Sequence, residues 1–66
     1  MIIFRVNDMS CGHCASTITQ AIRDVDGGAK VRIDMDRHLV EIETNASDAE
    51  ALRAAVAEAG YTPELQ

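Results

Sequence analysis

The succession of hydrophobic periods along the chain constrains the fold more than any other feature of the sequence. Apolar side chains recur at every second position in residues 2–6, which is the period of a strand with one buried face. Residues 15–25 change to the spacing of an amphipathic helix, and Gly27-Gly28 ends that pattern. The chain is therefore predicted to begin with a strand and a helix.

The next part of the chain predicts a hairpin and the start of a second helix. Residues 31–35 and 40–43 both alternate between apolar and polar side chains, and the polar segment 36–38 between them is typical of a turn. Ser47 and Glu50 have the spacing of a capping box. We therefore expect the second helix to begin at Ser47.

The second helix is followed by a short closing strand. Its apolar stripe consists of Ala49, Leu52, Val56 and Ala59. Gly60 is a natural C-terminal stop, and residues 62–65 are long enough for a strand. Pro63 places that strand at a sheet edge, because proline lacks the N–H needed in the interior of a sheet. The order predicts an α+β ferredoxin-like βαββαβ sandwich, with two helices on one face of a four-stranded antiparallel sheet.

Length and composition limit the classes of function. The 66 residues suffice for one small domain, and a chain of this size buries only about 60% of its unfolded surface. The formal net charge is −5 without a basic cluster, which argues against nucleic acid or an anionic membrane as a partner. No segment approaches the roughly 20 apolar residues that span a bilayer, and the N-terminus does not resemble a signal peptide. We therefore expect a cytoplasmic protein with reduced thiols.

The two cysteines of the chain, Cys11 and Cys14, are separated by only two residues. A disulfide between them would close a loop too small to restrict the unfolded chain much. The pair therefore indicates a chemical function of the thiols and not a stabilising disulfide. Cys11 is predicted in the loop after the first strand and Cys14 in the first helical turn, where free N–H groups and the helix dipole favour a thiolate. We expect Gly12 to let this loop fold tightly.

A structural zinc site is one interpretation of the cysteine pair. Such a site needs four ligands in a tetrahedron, and besides the cysteines the chain offers only His13 and His38. The side chain of His13 is expected to point away from the sulfurs. His38, in the predicted turn, is expected to be solvated and to lie at or near the opposite end of the sheet. Four thiolates from two chains remain an alternative.

Two further interpretations are a redox site and a site for one soft metal ion. A thiol–disulfide oxidoreductase also places CxxC between a strand and a helix. This chain is short for a thioredoxin-like fold and has no tryptophan beside the motif. Cu(I) needs less from the protein, because it is soft, prefers thiolate and accepts two sulfurs. An ion with two ligands stays open to a third thiolate, so a partner can take it without its release into water.

The segment Met9-Ser10-Cys11-Gly12-His13-Cys14 resembles the MxCxxC motif of the heavy-metal-associated domain family. The resemblance extends over nearly the whole chain, through the βαββαβ order to Gly60-Tyr61-Thr62-Pro63, and it predicts a single domain of this family over residues 1–66. It is strongest towards the small cytosolic copper chaperones of bacteria.

The resemblance implies roles for four residues. Cys11 and Cys14 would be the ligands of Cu(I). Met9 would be a core residue that anchors the loop, and not a ligand. Tyr61 would approach the metal site from the loop before the last strand and shield it.

Three other positions bear on the choice of metal and on the surroundings of the site. Ser10 stands where zinc-type relatives tend to have Asp, which favours copper. Asp8 stands where the family usually has Gly, so a carboxylate near the loop keeps Zn(II) or Hg(II) as an alternative cargo. His13 is expected to be exposed and to tune the thiolates or their contacts with a partner.

The resemblance also implies a carrier and not an enzyme. Such a chaperone passes Cu(I) by ligand exchange to the metal-binding domain of a copper-transporting P-type ATPase or a similar acceptor. The apo protein is expected to be a monomer. Two chains that share copper through four thiolates would form a copper-bridged dimer.

Overall fold

Four strands and two helices follow one another in the order that the sequence predicts. The computed structural model describes residues 1–66. Its elements are β1 (Ile2–Val6), α1 (Gly12–Val25), β2 (Lys30–Asp34), β3 (Leu39–Glu43), α2 (Ala49–Glu58) and β4 (Pro63–Leu65). Neither helix is long and apolar enough to cross a membrane. All strand pairs are antiparallel in the order β2-β3-β1-β4, so the ferredoxin-like fold is confirmed.

The core lies between the sheet and the two helices. Alternation along the strands directs every second side chain towards the helices, as Phe4 opposite Val40 illustrates. The buried apolar residues are Phe4, Val6, Met9, Ile18, Ile22, Ala29, Val40, Ile42, Leu52 and Val56. Burying one of the larger side chains stabilises the fold by about 1.5–3 kcal/mol. A few such residues therefore decide whether this small chain folds.

β4 is an edge strand, as predicted. It pairs only with β1, and Pro63 at its start lies opposite Val6. Because β1 ends at Val6, this pairing brings the start of β4 to the point where the chain enters the cysteine loop. The segment between α2 and β4 therefore lies at the same end of the sheet as the cysteines.

The cap of α2 differs from the prediction. Asp48 is the N-cap, and its carboxylate accepts a hydrogen bond from the backbone N–H of Ala51 at 2.8 Å. The predicted capping box of Ser47 and Glu50 is therefore wrong. The Ser47 hydroxyl is engaged in a tertiary contact instead, since it donates to Asp26 at 3.2 Å.

Two apolar residues of the periodic segments 15–25 and 31–35 differ from what their spacing predicts. Val25, the last residue of α1, is 49% exposed. The last buried residue of this helix is Ile22, so the apolar spacing extends one position further than the buried face. Met35 belongs to the turn between β2 and β3 and not to a strand. Its side chain is only partly buried against the core.

Asp26 joins two loops at the end of the sheet away from the cysteines. Its carboxylate accepts hydrogen bonds from the hydroxyl groups of Thr44 and Ser47 and from the backbone N–H of Gly28. The hydrogen bond from Thr44 is the largest cause that lowers the pKa of Asp26; Gly28 and Ser47 act in the same direction, and desolvation opposes them. The ionised carboxylate therefore holds the loop between α1 and β2 against the loop between β3 and α2.

We expect the contribution of Asp26 to stability to disappear in acid. A carboxyl group with a lower pKa in the folded than in the unfolded state stabilises the fold above its unfolded pKa, about 3.9, and loses this effect as pH falls through the folded value. Asp26→Asn should lower the melting temperature by several degrees at neutral pH and by less in acid. Circular dichroism melts across pH measure this, with exposed Asp36→Asn as the control. An equal loss at every pH would contradict the prediction.

Candidate metal site

Cys11 and Cys14 lie at the junction of the β1–α1 loop and the first turn of α1, as predicted. Cys11 is the exposed N-cap of the helix, and Cys14 is partly buried within its first turn. Their Sγ atoms are 3.2 Å apart. Two sulfurs that bind one ion at a metal–sulfur distance of about 2.3 Å lie at most about 4.6 Å apart. A small side-chain rotation therefore suffices for the pair to hold one ion.

The start of α1 favours negative charge on this pair. The N-cap makes no side-chain hydrogen bond to the helix, and the first turn contains no acidic residue. The free N–H groups and the positive end of the helix dipole therefore face the thiols without competition from a carboxylate. Such a position favours the thiolate, which is the form that binds metal.

The residues around Cys14 favour its ionised form. A hydrogen bond from the Tyr61 hydroxyl lowers the pKa of Cys14 to about 6, with further hydrogen bonds from the backbone N–H of Ser10 and from the Cys11 thiol. Desolvation acts in the opposite direction. The bond to Cys14 also raises the pKa of Tyr61 to about 12, so Tyr61 stays protonated as the donor. Cys14 is therefore mostly thiolate at neutral pH.

We expect Tyr61→Phe to raise the pKa of Cys14, because the substitution removes the largest cause of its shift and keeps the aromatic ring. Alkylation of Cys14 by iodoacetamide, followed by mass spectrometry as a function of pH, measures the change. The midpoint should move up from about 6. Thr17→Ala is the control, because the Thr17 hydroxyl bonds only to the backbone oxygen of His13. A midpoint unchanged by Tyr61→Phe would contradict the assignment.

Tyr61 reaches the cysteines because α2 ends at the same end of the molecule at which α1 begins. The N–H groups of Gly60 and Tyr61 donate to the carbonyl oxygens of Ala57 and Val56 at 3.0 and 3.4 Å, which is the Schellman pattern. Gly60 has a φ of 103°, a conformation that a side chain would strain. The chain then turns towards the metal end, where the Tyr61 side chain also packs against the core.

Met9 is fully buried in the loop that carries the cysteines. Its N–H donates to the carbonyl oxygen of Val6 at 3.1 Å, so the loop turns directly after β1. Packing of the thioether in the core fixes the start of the loop. The predicted position of Met9 in the core is confirmed.

His38 does not lie where its place in the sequence predicts. It is half-buried at the cysteine end, with Nδ1 2.9 Å from the carbonyl oxygen of Met9, and its own carbonyl oxygen accepts from the N–H of Val6 at 2.7 Å. The prediction of a distant, solvated residue is wrong because β3 runs antiparallel to β1, so the turn before β3 meets the end of β1. His38 also has a φ of 57°, which few residues other than glycine adopt.

The remaining predicted site residues differ in what they contribute. Ser10 acts through its backbone N–H, which bonds to the Cys14 thiolate. A Cβ at Gly12 would meet nothing within 4 Å, so the expectation that the loop needs glycine there is wrong. His13 is exposed, as predicted, and its backbone oxygen accepts a hydrogen bond from Thr17 at 3.0 Å.

The two sulfurs have no third candidate ligand beside them. No three His, Cys, Asp or Glu side chains come together as a possible metal site. The Asp8 carboxylate, a predicted oxygen ligand for zinc, accepts hydrogen bonds from the N–H and the hydroxyl of Thr62, both at 3.2 Å. No sequence pattern indicates this contact, because the two residues are 54 positions apart. The sulfur pair thus remains open to a ligand from outside.

Comparisons with known proteins agree with this architecture. The heavy-metal-associated domain matches residues 3–62. The copper chaperone CopZ of Staphylococcus epidermidis is 31% identical over 61 residues, which cover 89% of this chain and 90% of the relative. A solved gold-binding protein is 39% identical with a TM-score of 0.94, and 100% of both chains is covered. The copper chaperone Atx1 from Synechocystis PCC6803 is 36% identical with a TM-score of 0.90, covering 97% of this chain and 100% of its own. Because the family match runs from the first strand to the approach to the last, this protein belongs to the heavy-metal-associated domain family.

Proposed function

We propose that residues 1–66 form one heavy-metal-associated domain that carries a single Cu(I) ion between the thiolates of Cys11 and Cys14. The observation that carries this proposal is the pair of sulfurs 3.2 Å apart on an exposed helix start, with no third protein ligand beside them. In this role the protein is a carrier and not an enzyme.

The chemistry of the pair suits Cu(I). Thiolate is a soft ligand, and Cu(I) is among the ions that soft sulfur ligands select. The lowered pKa of Cys14 supplies a thiolate at neutral pH without a separate base. Two ligands leave the ion accessible to a third thiolate, and the exposure of Cys11 gives that thiolate a path to the ion.

Transfer to a partner follows from the same geometry. An incoming thiolate adds to the bound ion, one of the two cysteines leaves, and the remaining cysteine is then exchanged in the same way. The partner we propose is the metal-binding domain of a copper-transporting P-type ATPase or a similar cytoplasmic acceptor. The relatives named as copper chaperones support this role. In this proposal the apo protein is a monomer, and copper can bridge two chains through four thiolates.

A different thiophilic ion is the second candidate cargo. The likeness to a gold-binding protein, at a TM-score of 0.94, favours a site that accepts soft ions other than copper. Zn(II) prefers four ligands, whereas the carboxylate of Asp8 is already held by Thr62. The order of preference that we propose is therefore a soft monovalent ion before Zn(II).

Anaerobic titration of the reduced protein tests this function. Increasing Cu(I) is added in the presence of a competing Cu(I) chelator, and parallel titrations use Zn(II) and Hg(II). We expect one Cu(I) per chain, retained more tightly than Zn(II), followed by transfer to an isolated metal-binding domain of a copper-transporting ATPase. Stronger retention of Zn(II) than of Cu(I) would overturn the proposal, and so would absence of transfer to any such domain.

A further inference from the structure

His38, in the turn between β2 and β3, contacts both ends of the short turn that leads from β1 into the cysteine loop. Its carbonyl oxygen accepts a hydrogen bond from the N–H of Val6 at 2.7 Å, and its Nδ1 lies 2.9 Å from the carbonyl oxygen of Met9. Val6 and Met9 are also joined directly, because the Met9 N–H donates to the Val6 carbonyl oxygen at 3.1 Å. A single residue from another part of the chain therefore ties the start of the cysteine loop to the sheet.

The side-chain contact of His38 has a defined donor. A carbonyl oxygen can only accept, so Nδ1 of His38 carries a hydrogen and donates it to Met9. The accepting oxygen belongs to the peptide group between Met9 and Ser10, and Ser10 directly precedes Cys11. The bond therefore fixes the peptide group from which the chain continues to the first thiol.

The backbone of His38 indicates that its side chain has a role of its own. Its φ of 57° lies in the left-handed region, which glycine adopts at the lowest cost. Strained backbone conformations of this kind persist where the surrounding structure holds them, and they gather at functional sites. Glycine would satisfy the backbone at this position, whereas only a side chain can donate to Met9.

We propose that His38 is a positioning residue: by donating to the carbonyl oxygen of Met9 it holds the start of the cysteine loop against the turn between β2 and β3, and it thereby keeps the two thiols arranged for one ion. Loss of this bond leaves the backbone contact between His38 and Val6 in place but frees the peptide group before Ser10. The effect on Cu(I) binding rests on the proposed carrier function, whereas the bond itself and the mobility of the loop can be measured without metal.

Three substitutions of His38 separate the hydrogen bond from the backbone conformation. Glycine, asparagine and aspartate all adopt left-handed backbone more readily than other residues, so none of them should strain the turn. The amide nitrogen of asparagine is attached to Cγ, as Nδ1 of histidine is, so His38→Asn keeps a donor in the same place. The ionised side chain in His38→Asp has the same shape but only accepts, and His38→Gly has no side chain. The bond to Met9 should persist in His38→Asn and disappear in the other two variants.

The first experiment is NMR spectroscopy of the reduced apo protein. Long-range ¹H–¹⁵N spectra of the neutral His38 ring should show its hydrogen on Nδ1, because the hydrogen bond selects that tautomer. Hydrogen on Nε2 alone would overturn the proposal.

Amide hydrogen exchange of the same apo protein measures the mobility of the loop. The Met9 N–H should exchange about fivefold faster in His38→Gly and His38→Asp, the effect of one lost hydrogen bond, and at the original rate in His38→Asn. The N–H of Ala29, which donates to the carbonyl oxygen of Asp26 at the opposite end of the sheet, is the internal control. Equal acceleration at Met9 and Ala29 would indicate a general loss of stability and would overturn the positioning role.

The second experiment is titration with Cu(I) beside a competing chelator. Affinity should fall about fivefold in His38→Gly and His38→Asp, because a freer loop loses more conformational freedom when it binds the ion. It should return to the original value in His38→Asn. Glycine and asparagine are both uncharged, so the comparison of these two variants excludes an effect of charge. Equal affinities of His38→Gly and His38→Asn would overturn the role of His38 in metal binding.

The two experiments distinguish this inference from the proposed function. Faster exchange at Met9 in His38→Gly and His38→Asp, together with no Cu(I) binding by the unaltered protein, would support the positioning of the loop and overturn the carrier function. Normal Cu(I) binding with unchanged exchange at Met9 would support the carrier function and overturn the role of His38.

Discussion

Cys11→Ser and Cys14→Ser are each expected to abolish tight Cu(I) binding. A serine hydroxyl is a hard ligand that stays protonated at neutral pH, so each variant leaves one sulfur to hold the ion. Loss of a residue that merely supports a metal ligand costs about 10- to 100-fold in affinity. Loss of a ligand should therefore cost more than about 100-fold. Competition titration with a Cu(I) chelator measures the affinity and the number of ions per chain.

His13→Ala is the matched control for this prediction. His13 lies between the two cysteines but is exposed, and no cluster of three ligands includes it. Its removal should leave the number of bound ions unchanged and the affinity within about threefold of the original, below the loss that an outer partner of a ligand causes. Unchanged affinity in both serine variants would overturn the assignment of the cysteines. A loss in His13→Ala as large as in the serine variants would make His13 a ligand.

Met9→Ala is expected to destabilise the apo protein by about 2–5 kcal/mol. Met9 is fully buried, and truncation removes most of its side chain from the core and leaves a cavity. A core in a chain of this size supplies no more than about 3–5 kcal/mol of net stability, so a large fraction of the molecules should unfold. Urea denaturation followed by circular dichroism gives the free energy of unfolding.

Met9→Leu separates packing from metal binding at this position. Leucine has a similar volume, so the free energy of unfolding should fall by less than about 1.5 kcal/mol. It has no sulfur, so Cu(I) affinity should persist only if Met9 acts through packing. A Met9→Leu protein that folds normally but loses its metal would identify the thioether as a ligand. A fully stable Met9→Ala protein would instead contradict its place in the core.

The fold could be read from the sequence because its signals are local. Alternation in residues 2–6, 31–34 and 40–43 and the helical spacing after Cys14 are set by which side chains face the core, and each element carries its own pattern. The N-cap residue of α2 could not be predicted from such a local pattern. Ser47 and Asp48 are both good N-caps, and the choice between them depends on Asp26, which engages Ser47 from another loop.

The candidate site also combines features that one short segment specifies with contacts between residues far apart in the chain. The cysteine pair and its position at the start of a helix are local, since both residues belong to one short segment whose flanking patterns are clear. The placement of His38 beside the carbonyl oxygen of Met9 is not local, because the antiparallel pairing of β1 and β3 produces it. The contact between Asp8 and Thr62 likewise depends on the pairing of β1 and β4.

The sequence by itself determined the order of the elements, the buried faces of β1, β2 and β3 and the location of the two thiols in the chain. These features follow from residue spacing, because periods of 2 and 3.6 residues specify which side chains are withdrawn from water. Only the tertiary structure decided which distant groups meet the cysteine loop: His38 against the carbonyl oxygen of Met9, and Asp8 against Thr62 in the segment that carries Tyr61. Strand pairing fixes such contacts between residues far apart in the chain, and no period within a single segment records which strands will be neighbours.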